Sequence, residues 1–161
     1  MKKTAMLLLI LFGVNQDAMA ISAFKKEFFK MHVDKESTDP KKQEFAKVAN
    51  AKTGKCYICH VNVKNISENG LKKKSVRNNY GKAISQFITK DSFDRMKKED
   101  KEKAYALIRS AIMQAGTFKS NPLSTISPTF DELIADGKLP GNGKPDPDDL
   151  KQAIKDRDSK K

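Results

Sequence analysis

The sequence predicts a small all-α protein. Along most of its length apolar residues recur at intervals of three and four, the spacing of one helix face. The alternation of apolar and polar residues that marks a half-buried strand appears nowhere. With 38% hydrophobic and 32% charged residues, the chain of 161 residues can bury only a small core. We therefore expect something besides apolar packing to help hold the fold together.

Residues 1–20 have the three parts of a secretory signal peptide. Lys2 and Lys3 precede an apolar run over residues 5–14, and the segment ends in the A-x-A pattern of residues 18–20. The apolar run is too short to cross a bilayer, which takes about 20 residues. We expect cleavage after residue 20, with export to the periplasm or an equivalent bacterial compartment; an uncleaved amino-terminal anchor is the alternative.

The net charge is strongly positive. Cleavage would remove Lys2, Lys3 and Asp17 and leave +11 of the formal charge of +12. Such a charge favours acidic partners, whether a protein patch, an anionic lipid or a nucleic acid, and export argues against the last. The lysines are spread along the chain, so ordinary solvated helix faces explain them as well as a docking surface does.

Two helices are predicted before the cysteines. The apolar positions of the first, over residues 21–31, are Ile21, Phe24, Phe28 and Met31. The second begins at Pro40, which suits the first helical position, after Thr38 or Asp39 as its cap. Gly54 ends its apolar stripe, so this helix leads directly to the cysteines.

Two further helices and a short connecting segment are predicted in the region after the cysteines. Residues 61–75 are polar and rich in lysine, and we expect them to lack regular structure. Helical spacing returns over residues 76–88, with apolar residues at Tyr80, Ala83, Ile84, Phe87 and Ile88. A short segment over residues 92–96 follows. The clearest stripe runs over residues 104–115 and ends at Gly116.

The last part of the chain combines one short helix with a polar end. After a proline-containing loop over residues 121–128, Thr129 and Glu132 form a capping box that opens a short helix. Residues 141–161 have almost nothing to bury and are predicted to be a charged, flexible tail. The folded domain is thus predicted to span residues 21–140.

The segment Cys56-Tyr57-Ile58-Cys59-His60 matches C-x-x-C-H, the attachment signature of c-type haem, and contains both cysteines of the chain. The spacing lets the two sulfurs bond to one porphyrin while the adjacent imidazole ligates its iron. Cys56 and Cys59 are therefore the predicted thioether anchors, and His60 is the predicted proximal ligand. The motif uses every cysteine. It indicates a cytochrome c-like helical domain packed around one covalent haem c.

Three other interpretations of these residues remain. A structural zinc site needs four ligands, and besides the motif only His32 is left among the histidines and cysteines. A thioredoxin-type dithiol lies beside a strand in a βαβ unit, and no strand is predicted here. A disulfide is compatible with export but leaves His60 without a role.

Further features extend the pattern: C-x-x-C-H-V, a lysine-rich stretch, Arg77-Asn78, Tyr80-Gly81 and the run T-F-x-E-L-I-x-x-G-K-L-P. Over about residues 24–140 the chain resembles small single-haem cytochromes c of planctomycete and anaerobic ammonium-oxidising bacteria. The resemblance implies a periplasmic electron carrier, and it allows a heterodimer with a related cytochrome. The related heterodimeric, low-potential cytochromes use a cysteine as the distal ligand. This chain departs from them because it has no third cysteine.

The sixth iron ligand decides between two functions. Iron held on both sides carries electrons, whereas an open or labile position binds NO or CO. His32 is the first candidate for this distal position, and the alternatives are Met96, Met31, Met113, a lysine, Tyr80 or an empty site. Ligation by two histidines would give a low potential. We expect a non-enzymatic carrier of single electrons between redox proteins, with haem-based gas binding as the alternative.

Overall fold

The computed structural model describes residues 22–51, 54–62, 64, 66–72, 76–140 and 145–159. These residues are mostly helical and contain no β-strand, which confirms the all-α class. The predicted signal peptide lies outside them. No described helix is both long enough and apolar enough to cross a membrane.

Eight α-helices follow one another along the described chain. They are α1 (Ser22–His32), α2 (Pro40–Asn50), α3 (Gly54–Tyr57), α4 (Asn79–Ser85), α5 (Lys90–Glu99), α6 (Lys101–Gly116), α7 (Phe130–Ala135) and α8 (Pro147–Asp158). A 3₁₀ turn over Ser67–Asn69 lies between α3 and α4. Two predicted helix starts are confirmed. Asp39 caps α2 ahead of Pro40, and Thr129 and Glu132 form the capping box of α7.

The main core is built around α6, which packs against α1, α4, α5 and α7. Its inner side chains have no exposed surface; they are Ala104, Ile108, Ala111, Ile112 and Ala115. The three alanines let neighbouring helices approach closely, while the isoleucines fill the space between them. Aromatic side chains from α1, α2, α4, α5 and α7 complete the core; they are Phe24, Phe28, Phe45, Tyr80, Phe93 and Phe130.

The structure corrects the predicted polar tail. Over Pro147–Asp158 the chain forms α8, which has Asp146 as its N-cap. The apolar residues of α8, Leu150, Ala153 and Ile154, pack against a second apolar cluster formed by Val61, Ile66, Leu71 and Val76. Lys82 forms ion pairs with Asp146 and Asp149, and Arg157 donates a hydrogen bond to the carbonyl of Asn69. Few apolar residues suffice here because both segments contribute to the same cluster.

The region after the cysteines also differs in its helix bounds. The predicted helix over residues 76–88 is shorter, Asn79–Ser85, because Asn78 caps it. The short segment over residues 92–96 belongs to the ten-residue helix α5, which Thr89 and Ser92 cap.

A buried carboxylate joins α1 to α6. Glu27 is 2% exposed and accepts hydrogen bonds from Lys30 Nζ and Arg109 Nη1, both at 3.0 Å. Burial by itself raises the pKa of Glu27. The hydrogen bonds and charges of Lys30 and Arg109 outweigh burial, so the pKa lies below its ordinary value.

Replacement of Glu27 by glutamine is expected to flatten the acid dependence of stability. A carboxyl group whose pKa is lower in the folded chain stabilises the fold above its unfolded pKa of about 4.3. This stabilisation is lost as the pH falls through the folded pKa. In urea titrations between about pH 6 and pH 3, the free energy of unfolding should fall more for the wild type than for Glu27→Gln. The exposed Glu44→Gln should follow the wild type, and parallel curves for all three would contradict the account.

Candidate haem-attachment site

The two cysteines lie on one turn of helix. The amides of Cys59 and His60 both donate to the carbonyl of Cys56, at 3.4 and 3.0 Å, so the turn of α3 continues into the histidine. Residues three apart share one side of such a turn. Both cysteines have free thiols, and both residues are half-buried. Two sulfurs on one side are what bonding to a single porphyrin requires.

Asn78 braces this turn from outside. Its side-chain amide donates to three carbonyls, those of Tyr57 at 3.1 Å, Ile58 at 3.0 Å and His60 at 3.3 Å. Its side-chain oxygen accepts from the amide of Gly81 at 2.8 Å, and its own amide donates to the carbonyl of Cys59 at 3.1 Å. Asn78 is 7% exposed, so water competes little for these bonds. Sequence periodicity gave this residue no role, although the preference for Asn at N-caps is a signal that could have found it.

Replacement of Asn78 by alanine is expected to destabilise the protein by about 2–3 kcal/mol, because several buried carbonyls and an amide lose their partner. The measurement is urea unfolding monitored by circular dichroism. The matched control is Asn79→Ala, which removes one bond, from Asn79 Nδ2 to the carbonyl of Ser120 at 2.9 Å, and should cost about 1 kcal/mol. Equal losses in the two variants would show that Asn78 does not brace the turn.

Gly81 brings α4 into direct contact with the motif. A Cβ atom at this position would lie 2.2 Å from the carbonyl oxygen of Cys59. No such contact is sterically allowed, so only glycine permits this close approach. The first turn of α4 thereby packs directly against the backbone that joins Cys59, a predicted thioether anchor, to His60, the predicted iron ligand.

The imidazole of His60 is buried beside a small, largely apolar cavity. His60 is 6% exposed, and its backbone forms an antiparallel bridge with Arg77. The cavity has a volume of about 20 Å³. Its lining consists of Phe24, Cys59, His60, Arg77, Gly81, Ile84, Ser85 and Ile88.

The side chains around His60 have the chemical groups needed to hold a covalent haem. Two free thiols and an imidazole occur in the order the motif requires, and Phe24, Ile84 and Ile88 offer apolar surface to a macrocycle. A cavity of about 20 Å³ has room for little more than a water molecule. Side chains of α1 and α4 must therefore move apart to admit a porphyrin.

The environment of Cys59 favours the protonated thiol. Burial raises the pKa of Cys59 to about 12, although the nearby Arg77 acts in the opposite direction. Redox-active cysteines have a lowered pKa, because the thiolate is the nucleophile. The surroundings of Cys59 thus do not favour it as the attacking thiolate of a redox-active pair.

No group of three or more His, Cys, Asp or Glu side chains within the described residues could hold a metal ion. A structural zinc site would need such a group. A haem iron does not, since the porphyrin itself supplies most of the ligands.

The candidate distal ligands lie apart from the cavity beside His60. His32 is eight residues beyond Phe24 on α1, or about 12 Å along the helix axis. Met31 and Met96 are half-buried against the main core. None of these three candidates lines the cavity. The assignment of His32 as the distal ligand therefore stays a prediction.

His32 and Tyr80 place unusual polar atoms in the aromatic core. The His32 ring lies 4.7 Å from the ring of Phe28, between centroids, and Phe28 also contacts Tyr80 at 6.0 Å. His32 Nε2 and the Tyr80 hydroxyl are buried and have no hydrogen-bond partner among the described residues. Burial lowers the pKa of His32, although Asp131 acts in the opposite direction. Unsatisfied buried groups of this kind are costly, which fits a site that is completed by another group.

Comparisons of the chain with protein-family models, curated proteins and solved structures found no match. The function is therefore inferred from the motif and from the geometry around it.

Proposed function

We propose that the protein is an exported single-haem c-type cytochrome that carries single electrons between redox proteins. The observation that carries this proposal is the C-x-x-C-H motif on one helical turn, with both thiols free and His60 buried at its end. When bound, the haem would supply the iron couple that accepts and donates the electron. We propose no enzymatic activity.

The residues of the motif have separate roles in this proposal. The thiols of Cys56 and Cys59 would hold the haem through thioether bonds to its two vinyl groups. Each addition would form a carbon–sulfur bond and move the thiol hydrogen to the neighbouring carbon, so it would consume no oxidant. His60 would hold the iron of that haem. Asn78 keeps the backbone of all three residues in place, since it bonds to the carbonyls between and after the cysteines. Gly81 keeps α4 close behind them.

Binding of NO or CO is the second candidate function, and one observation favours it. None of the three distal candidates lines the cavity beside His60, so none of them already lies where a second ligand to an iron held by His60 would be needed. An open position binds diatomic gases, whereas one held by a second side chain does not bind them readily.

The visible absorption spectrum distinguishes the two functions. For an electron carrier we expect sharp low-spin bands in the oxidised and the reduced protein, unmoved by CO. A prompt shift on addition of CO would contradict electron transfer as the main role and would support gas binding. The protein should be purified from a bacterial host that attaches haem to exported proteins.

Replacement of His32 tests the distal assignment in the same experiment. If His32 is the ligand, His32→Ala should open the sixth position and make the spectrum respond to CO. His32→Met should raise the reduction potential, because a thioether favours ferrous iron. The matched control is Leu123→Ala, since this side chain is 96% exposed and is not among the candidate ligands. A spectrum and potential unchanged in both His32 variants would remove His32 as the ligand.

A further inference from the structure

The outer face of α1 carries a concave groove with an apolar centre and a basic rim. Its apolar side chains are the half-buried Phe29 and Val33, and the others are Ser22, Lys25, Lys26, Lys30 and Lys35. The groove has a volume of about 490 Å³, within the range of small ligand sites. It is thus large enough to receive one or two side chains.

The charge of the groove is positive and largely uncompensated. No acidic side chain lines it. Lys30 forms an ion pair with Glu27, but this carboxylate is 2% exposed and also forms an ion pair with Arg109. The single negative charge of Glu27 can therefore neutralise only one of these two cations. The other three lysines of the rim make no ion pair with a described residue. A negatively charged partner would therefore be attracted to this face in particular.

We propose that this groove docks an acidic segment of a partner protein, with an apolar side chain of the partner on Phe29 and Val33. Carboxylates on either side of that side chain would meet the lysine rim, as charge complementarity requires. A protein segment fits better than a lipid surface. A flat bilayer would touch the rim and leave the concave apolar centre uncovered.

The groove and the candidate haem site lie on opposite sides of the same helix. Phe24 lines the cavity beside His60, whereas Phe29 lines the groove. Phe28 lies between them, with its ring centroid 6.1 Å from that of Phe24 and 6.4 Å from that of Phe29. A docked partner would thus be separated from the His60 cavity by one helix, about 10 Å across. Docking itself does not depend on haem attachment.

Nuclear magnetic resonance with a synthetic peptide tests the docking. The probe is a short peptide with one leucine between pairs of aspartates. It is titrated into the isotope-labelled protein, which is complete except for the predicted signal peptide. We expect amide shifts that concentrate on residues 22–35. A peptide with alanine in place of the leucine should bind more weakly, because it buries less apolar surface.

Two matched double variants identify the surface. Lys25→Glu with Lys26→Glu should weaken peptide binding by about tenfold or more. Lys97→Glu with Lys98→Glu changes the net charge equally, on the exposed side of α5, and should weaken binding by less than about threefold. Equal weakening, or shifts spread over all lysine-bearing helices, would overturn the proposal. Shifts on residues 22–35 caused by anionic lipid vesicles but not by the peptide would overturn it in favour of a membrane surface.

Discussion

Replacement of Cys56 and Cys59 together by serine is expected to leave the protein without covalently bound haem. These are the only two thiols of the chain, and a serine hydroxyl does not replace a thiol in the thioether bond. Each single variant should retain one bond. The measurement is haem-dependent staining after electrophoresis under denaturing conditions, which removes any haem that is not covalently attached.

A histidine variant provides the control for the serine variants. His32→Ala keeps both thiols and lies outside the motif, so it should retain covalent haem in the amount found for the wild type. Covalent haem in the double serine variant would contradict the assignment of the anchors. Loss of haem in His32→Ala to the same extent would mean that the assay reports general damage to the fold.

Replacement of Gly81 by alanine is expected to destabilise the protein by about 3 kcal/mol or more, an unusually large effect for one added methyl group. The new Cβ would lie 2.2 Å from the carbonyl oxygen of Cys59. Backbone on both sides of the contact must shift, which would break bonds of Asn78 to the turn. Urea unfolding of the full chain measures the loss.

Gly116→Ala is the matched control, because it is also a helical glycine with a close neighbour. There the added Cβ would meet the carboxylate of Asp131, an exposed side chain that can rotate away. The substitution should then cost little, and the higher helix propensity of alanine contributes about 0.5–1 kcal/mol in its favour. Similar losses at both glycines would contradict the tight contact between α4 and the motif.

The helices that were predictable have local signals. The stripe of α6 is regular over four turns, and α2 and α7 begin with capping residues that act within their own first turn. Such signals depend only on neighbours in the chain, so they can be read without knowledge of the fold.

The second apolar cluster was missed because its pattern is not local. Val61, Ile66, Leu71 and Val76 are five residues apart, a spacing that matches neither a helix nor a strand. Three apolar side chains of α8, from the far end of the chain, pack against them. Neither segment has enough apolar residues to predict a folded element by itself.

The candidate site likewise combines a local sequence signal with features that depend on tertiary structure. The C-x-x-C-H motif lies within five residues and could be recognised directly. The preference of Asn for N-caps is a local signal for Asn78, but the contacts of Asn78 and Gly81 with the motif could not be recognised, since they depend on where α4 lies against it. The distal ligand is also a matter of tertiary structure, because His32 and Met96 come from different helices.

The most direct test of the central claim is the intact mass, under denaturing conditions, of the protein purified from a bacterial host that attaches haem to exported proteins. We predict a single species with the mass of residues 21–161 plus one haem. The mass of the polypeptide alone, or that mass less the hydrogens lost when Cys56 and Cys59 form a disulfide, would contradict it.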